Sequence, residues 1–419
     1  MQSTSSDSSL WDDAYERGIS ALNKQDYSAA RKQFDLISKQ SQNRGAQAQS
    51  LVNLADLYRE GRGGQSDEAR AKEFFKQAAN QEFDKAAQAR AQFELGEMYR
   101  LGQGGNKNVQ KAYGFFSLAA EQKINVSVQA AAKANLGECY RNGLGTEKDY
   151  TSARDLLVEA ANQTENRKAK AKAYAALGDL YRLGQGVPIN YAQARTFFKK
   201  AAQQTDNVSA QAMARYNLGR LYYEGLGSKV DYAQARQFFE QAAQQAENMS
   251  ARAGAQAALG LMYFLGQGCS DILVEEAQTI LSEAVQQVDN KAAKARAQIY
   301  LAKLLEEKVK RERFLGRNGS GVTVRSEEEL QTDLIKARVL NEEAASQTYD
   351  LKAQALAQRQ LEFIFTEFSG GDRTMSDQQC LATPPSYSSL SSLYPVLATS
   401  SSHVQDSLEN PPVYDSLFF

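Results

Sequence analysis

The chain has 419 residues, a formal net charge of −1 at pH 7, six prolines and three cysteines. Its length exceeds what one compact core organises, so it implies several domains or growth by repetition. The balanced charge excludes a strong bias toward nucleic acid or an anionic membrane. No apolar run is long enough to cross a bilayer. The cysteines, Cys139, Cys269 and Cys380, lack the paired spacing of a disulfide framework or a zinc site.

The first stretch, MQSTSSDSSLWDD, has neither a positive n-region nor an apolar core, so it is not expected to be a signal peptide. Residues 1–10 are expected to be disordered. From 11 to 43 the segment AYERGISALNKQDYSAARKQF carries a helix-period pattern, with Asp26, Ala30 and Phe34 in phase with the repeats further along the chain. A strict repeat then begins: LADLYREGRG, LGEMYRLGQG, LGECYRNGLG, LGDLYRLGQG, LGRLYYEGLG and LGLMYFLGQG, with tyrosines at 58, 99, 140, 181, 222 and 263. A period in this range marks a solenoid. A second block follows each first one, as in RAKEFFKQAA and QARTFFKKAA. Its small and large residues, Ala71 with Phe75 or Ala194 with Phe198, are four apart and share one helix face. Each unit is thus a helix pair, A then B.

The punctuation agrees. Asp26, Asp67, Asn108, Asp149, Asn190 and Asp231 form a column of N-caps before helix B. Gly61, Gly102, Gly143, Gly184, Gly225 and Gly266 form a column of left-handed C′ residues after helix A. GQG is therefore a helix stop. A phosphate cradle would need a preceding strand and a GxxxxGK[ST] or GxGxxG pattern, which the chain lacks. Inside helix A, Ala55, Gly96, Gly137, Gly178, Gly219 and Gly260 form another column. Glycine there costs about 1 kcal/mol relative to alanine, so close approach of helix B is the expected reason.

Beyond Gly268 the period slips by one residue, and Ala277 and Leu281 continue the face. A seventh helix A has Leu301, Ala302 and Leu305 but no glycine turn. An insert over 306–330, EEKVKRERFLGRNGSGVTVRSEEEL, stands in its place, and its glycine-rich middle reads as a flexible loop. LIKARVLNEEAA restores helix B, and KAQALAQRQLEFIFTEF is a closing helix, with Leu361 and Phe365 in the leucine and tyrosine places. From 369 the Ser/Pro/Tyr composition reads as a disordered tail.

The consensus L-G-x-x-Y-x-x-G-x-G followed by D-Y-x-x-A-x-x-F-F-x-x-A-A resembles the Sel-1-like repeat family over 44–300, and the segment 11–43 looks more like a tetratricopeptide unit. The resemblance implies an all-α fold: a right-handed α–α superhelical solenoid of about seven helix pairs with capping helices, degenerate over 301–368. It also implies a concave face lined by helix A. Family members serve as adaptors in signalling, in quality control and in host interaction by intracellular bacteria.

Catalysis is not expected. The single histidine, His403, lies in the tail, which removes histidine triads and histidine metal sites from the repeats. Cys139 shares a column with Leu57, Met98 and Leu180 and reads as core. No cofactor or metal is expected. The remaining resource is a surface. Two columns should face the groove: Asp56, Glu97, Glu138, Asp179, Arg220, Leu261, and Arg59, Arg100, Arg141, Arg182, Tyr223, Phe264. The charged members read either as helix-surface pairs three apart or as a ligand-binding ladder. Tyr223, Leu261 and Phe264 read as an exposed apolar anchor.

The tail holds PPSY (Pro384, Pro385, Tyr387) and PPVY (Pro411, Pro412, Tyr414), which resemble the PPxY ligand of WW domains. The leading functional reading is a monomeric, non-enzymatic scaffold or adaptor that binds proteins or peptides through the concave face, without nucleic-acid binding or membrane insertion. The alternatives are a secreted bacterial effector that engages host WW-domain proteins of the ubiquitin-ligase type, and a regulatory subunit of an enzyme complex. The expected location is the cytoplasm, of the producing cell or of a host.

Overall fold

In a computed structural model of the chain, residues 4–40, 43–163, 165–268, 273–287, 290–317, 325–347 and 350–368 are described. These residues form seventeen helices, with no strand among them. The chain divides into two compact units, Met1–Ala214 and Arg215–Phe419.

In the first unit, helix A and helix B alternate. The pairs are α1 (Thr4–Asn23) with α2 (Tyr27–Ser38), α3 (Arg44–Glu60) with α4 (Glu68–Ala79), and α5 (Lys85–Leu101) with α6 (Val109–Glu121). They continue with α7 (Val126–Asn142) and α8 (Tyr150–Asn162), then α9 (Arg167–Leu183) and α10 (Tyr191–Ala202). The boundary between units falls within α11 (Val208–Glu224). The second unit continues with α12 (Tyr232–Ala243), α13 (Met249–Leu265), α14 (Val274–Val285), α15 (Lys291–Arg317), α16 (Glu327–Ala345) and α17 (Leu351–Phe368). Helix α1 begins at Thr4, well inside the stretch expected to be disordered.

The caps fix these boundaries. The side chain of Asn190 accepts from the Gln193 N–H (3.0 Å), and its column does the same throughout. Helix A has its own cap column, beyond those expected from the sequence. Asn43, Asp84, Asn125, Asn166, Asn207 and Asn248 each accept from the N–H three residues on. The amide of Asn166 also donates to the Ser127 carbonyl (2.8 Å), and that of Asn207 to the Lys168 carbonyl (3.1 Å), so one side chain caps its helix and ties it to the previous helix A. Three of the chain's N-x-S sequences, at 125, 207 and 248, are these caps. One turn into helix A, Gln47, Gln88, Gln129 and Gln211 donate to carbonyls at the end of the preceding helix B (2.9–3.1 Å).

The glycines of LGDLYRLGQG have three separate jobs. At Gly178 a Cβ would lie 2.5 Å from the Phe198 ring of the partner helix, so α9 and α10 approach as closely as the column implied. Gly184 ends α9 with φ +68° and returns its N–H to the Leu180 carbonyl. Gly186, φ +67°, lies against the first turn of the preceding helix B, where a Cβ would meet Tyr150 Cβ at 2.6 Å. GQG is therefore a stop at its first glycine and an inter-repeat contact at its second.

The repeat tyrosine joins successive pairs. Arg31 of α2 lies 3.4 Å over the Tyr58 ring of α3, and Lys72 of α4 lies 3.9 Å over Tyr99 of α5. Within its own pair Tyr99 stacks on Phe115 with centroids 5.6 Å apart. The core proper is a stripe of alanines around one large residue per helix B: Phe34, Phe75, Phe116, Leu157, Phe198, Phe239 and Leu281, all fully buried. Cys139 is buried among them, and burial pushes its thiol pKa up to about 11, as befits a packing residue.

The ends of the insert are helical. Over residues 306–317 α15 runs on to Arg317, 27 residues in all, and α16 starts at Glu327. No glycine or proline interrupts 306–315, and Val309 is buried with Leu330 and Leu334, which gives the extension its own small core. Arg325 ties the two extended ends together, bonding Glu312 (2.8 Å) and Asp333 (2.8 Å), and Ser326 with Glu329 forms a capping box. The glycine-rich middle, 318–324, lies outside the described residues.

The helix-A face as candidate functional site

In the first unit the predicted groove arginines lie on α3, α5, α7 and α9 and are half-buried. Arg59 bonds Asp56, three residues back (2.7 Å), and Glu94 of the next helix A (2.5 Å). Asp56 also bonds Arg90 of that helix. Arg100 bonds Glu97 (2.5 Å), which accepts from Asn135 of α7 (2.6 Å); Asn135 accepts in turn from Lys172 of α9. Lys172 bonds Glu138 (2.8 Å), and Arg141 and Arg182 share Asp179 (3.3 and 3.1 Å). The expected pairs three apart form at Arg59, Arg100 and Arg182. Arg141 departs, because Lys172 takes Glu138 and leaves Arg141 to reach Asp179 of the next repeat. The ladder therefore runs between repeats as well as along helices, and Asn135 and Lys172 belong to it although they lie outside the two predicted columns.

Burial and charge compete along this face. Burial is the larger influence on Asp56 and pushes its pKa up to about 6 against the pull of Arg90 and Arg59. At Glu138 burial also raises, but Lys172, Arg141 and Arg100 together hold the carboxyl below its usual range. Each guanidinium has five N–H donors and uses only some of them here; the Nε of Arg141 has no hydrogen-bond partner among the described residues.

The second unit does not present the expected apolar anchor. Tyr223 is only 7% exposed and meets Tyr232 edge-on, with centroids 5.4 Å apart. Leu261 is 3% exposed and belongs to one core with Leu301, Leu304 and Leu305. Phe264 is half-buried against the same core. For Leu261 and Phe264 the reason is direct packing of α13 on α15, which covers the face that the columns left open. Gly254 and Ala257 supply the space: a Cβ at Gly254 would lie 2.8 Å from the Tyr216 ring. The exposed apolar residues sit elsewhere. Phe83 and Ile124 occupy one column at the turns before α5 and α7, 59% and 64% exposed, and Arg44 lies 4.4 Å over the Phe83 ring. Their spacing equals the repeat period, which was the available signal.

Among the described residues no group of three His, Cys, Asp or Glu could hold a metal ion, and no helix is long and apolar enough to cross a membrane. The tail residues Pro384, Pro385, Tyr387, Pro411, Pro412 and Tyr414 lie outside the described residues, as do Cys269, Cys380 and His403.

The Sel1 repeat model matches residues 48–83, 89–123, 130–164, 171–206, 212–247 and 253–271. A Sel1 repeat protein from Oxalobacter formigenes is similar in structure: TM-score 0.54, 24% identity, covering 66% of this chain and 98% of that one. The c5321 protein, a protective antigen present in uropathogenic Escherichia coli strains and displaying an SLR fold, is 20% identical, covers 94% of this chain and 88% of its own, and has a TM-score of 0.33. No curated protein matches. With six matched repeats on alternating A and B helices, the chain belongs to the Sel1 repeat family, whose α-solenoids are in general non-catalytic scaffolds for protein–protein interaction.

Proposed function

We propose that the chain is a non-catalytic adaptor that binds a protein or peptide along the helix-A face of α3, α5, α7 and α9. The observation that carries this is the half-buried ladder from Arg59 to Arg182, in which every cation is oriented by a partner and keeps donors to spare. Pre-oriented guanidiniums favour acidic side chains of a partner, since ordering costs are already met within the ladder. The test is a selection of peptides on the full chain, followed by Arg100→Glu with Arg141→Glu. Binding is expected to weaken at least tenfold with unchanged helicity and to fall as salt rises. Peptides that bind the double variant equally well would remove this face from the function.

A second reading rests on the two PPxY sequences at 384–387 and 411–414. Paired prolines lower the ordering cost of binding, and two copies on one tail add avidity for a tandem WW protein. Full-length chain should bind such a protein, and Tyr387→Ala with Tyr414→Ala should abolish the binding; equal binding by the variant would refute the reading.

A further inference from the structure

The large residue of helix B has a fixed register. In α4 it is Phe75 between Ala71 and Ala78; in α14 it is Leu281 between Ala277 and Ala284, all buried. In α16 the same alanines are Ala337 and Ala344, and the residue between them is Asn341. Asn341 is 0% exposed, and neither its Nδ2 nor its Oδ1 has a hydrogen-bond partner among the described residues. An amide thus fills the position that holds every other pair together.

The surrounding helices repeat the pattern. On α15 the Gln298 amide oxygen is buried without a hydrogen-bond partner among the described residues, while its Nε2 donates to Glu343 of α16 (2.5 Å). Both oxygens of Glu306 are also buried without a hydrogen-bond partner among the described residues, although Oε2 is ion-paired with Lys303 Nζ at 3.6 Å. On α17 the amide oxygen of Gln360 has no hydrogen-bond partner among the described residues, and the described apolar seat of that helix is Ala353 and Ala357 with the half-buried Leu356. Its first turn is fastened by polar contacts instead: Asp350 with Arg296 (2.8 Å), and Gln354 on the Ala345 carbonyl (3.0 Å).

Phenylalanine or leucine at this register favours the closed pair by apolar burial. An unpaired amide does the opposite: closing strips its water and returns no hydrogen bond, whereas opening rehydrates it. The penalty applies to the closed form alone. We infer that α16 and α17 are a built-in opening end of the chain, lifting from α15 while α12, α13 and α14 stay closed, with Asn341 as the residue that sets the balance. Opening uncovers the α15 face at Leu301 and Leu305, which closure buries with Ala337 and Ala357. This is local opening of one cooperative segment, distinct from unfolding of the unit.

Native-state hydrogen exchange on the full chain tests it. Amides of α16 are expected to be protected at least tenfold less than those of α12 and α14. Asn341→Leu should raise protection in α16 and α17 at least tenfold and leave α4 to α10 unchanged. Asn341→Ala guards against a misfit of the larger side chain and should also raise protection. Equal protection of α14 and α16 in the native chain would overturn the inference. So would lower protection in the alanine variant, since that would make the amide a stabilising residue.

Discussion

Along α5, α7 and α9 the residue after the repeat tyrosine is Arg100, Arg141 or Arg182; along α11 and α13 it is Tyr223 or Phe264. The same register is a hydrogen-bonded charge ladder in the first unit and largely buried in the second. The residues six and ten positions earlier decide the difference. Arg90 and Lys172 are ladder members in α5 and α9, and α13 has Gly254 in that column; Glu94 and Asn135 are ladder members, and α13 has Ala258. Long polar side chains fill the space between successive A helices and bond across it. Small ones let Tyr216 and α15 close in on α13. A column therefore has a fixed place in the solenoid, but its exposure depends on the next helix.

The glycine column is what the two units share, so it sets the largest effect and the control for the rest. Gly178→Leu should cost about 3 kcal/mol or more, since overpacking of a tight core typically costs 1–3 and here the added side chain meets an aromatic ring. Gly260→Leu, against Leu281, should cost a similar amount. Urea midpoints measure both. A neutral Gly178→Leu would mean that helix approach is not what this column provides.

The faces should then separate. Leu261→Ala removes a buried core residue and is expected to cost about 3 kcal/mol, within the usual range for leucine truncation. Arg182→Ala breaks a partly screened pair and should cost about 1 kcal/mol or less, declining with salt. Equal costs would erase the contrast between the units.

Much of this was legible in the chain itself. Helix pairs, the caps of helix B and the glycine stops follow from recurrence at one period, because each unit must solve the same backbone problem. The helix-A caps recur equally strictly, but Asn125, Asn207 and Asn248 also fit a glycosylation pattern, which masks their place one turn before an alanine stripe. The burial of Tyr223 and Leu261 was not legible from their own columns, since Tyr223 meets Tyr232 of α12 and Leu261 is covered by a helix some forty residues further on. Asn341 could have been found, because the alanines around it keep the register that elsewhere frames phenylalanine or leucine.

Titration of Asp56 probes the balance between burial and charge on the first face. With its folded pKa raised to about 6, above an unfolded value near 4, the folded state holds this proton more tightly. Its contribution to stability should therefore fall as pH rises from about 4 to about 6 and stay level outside that window. Carbon-detected NMR should place the midpoint near 6, and Asp56→Asn should flatten that part of the stability profile. A midpoint below 4 would show that Arg59 and Arg90 outweigh burial.

The smallest effect concerns an alanine column common to both units. Ala91, Ala132, Ala173, Ala255 and Ala297 are fully buried in helix A, and in α3 the same place holds Ser50, also fully buried, whose hydroxyl has no hydrogen-bond partner among the described residues. Serine adds one polar atom to a site shaped for a methyl group. Ser50→Ala should therefore stabilise the chain by about 1 kcal/mol, the lower end of the cost of leaving a buried polar group unpaired. The reverse change in the second unit, Ala255→Ser, should destabilise by a similar amount, because its column is equally closed. Urea midpoints of the two variants should shift in opposite directions. A destabilising Ser50→Ala would mean that the hydroxyl is hydrogen-bonded in solution, and that the first unit tolerates a polar atom where the second does not.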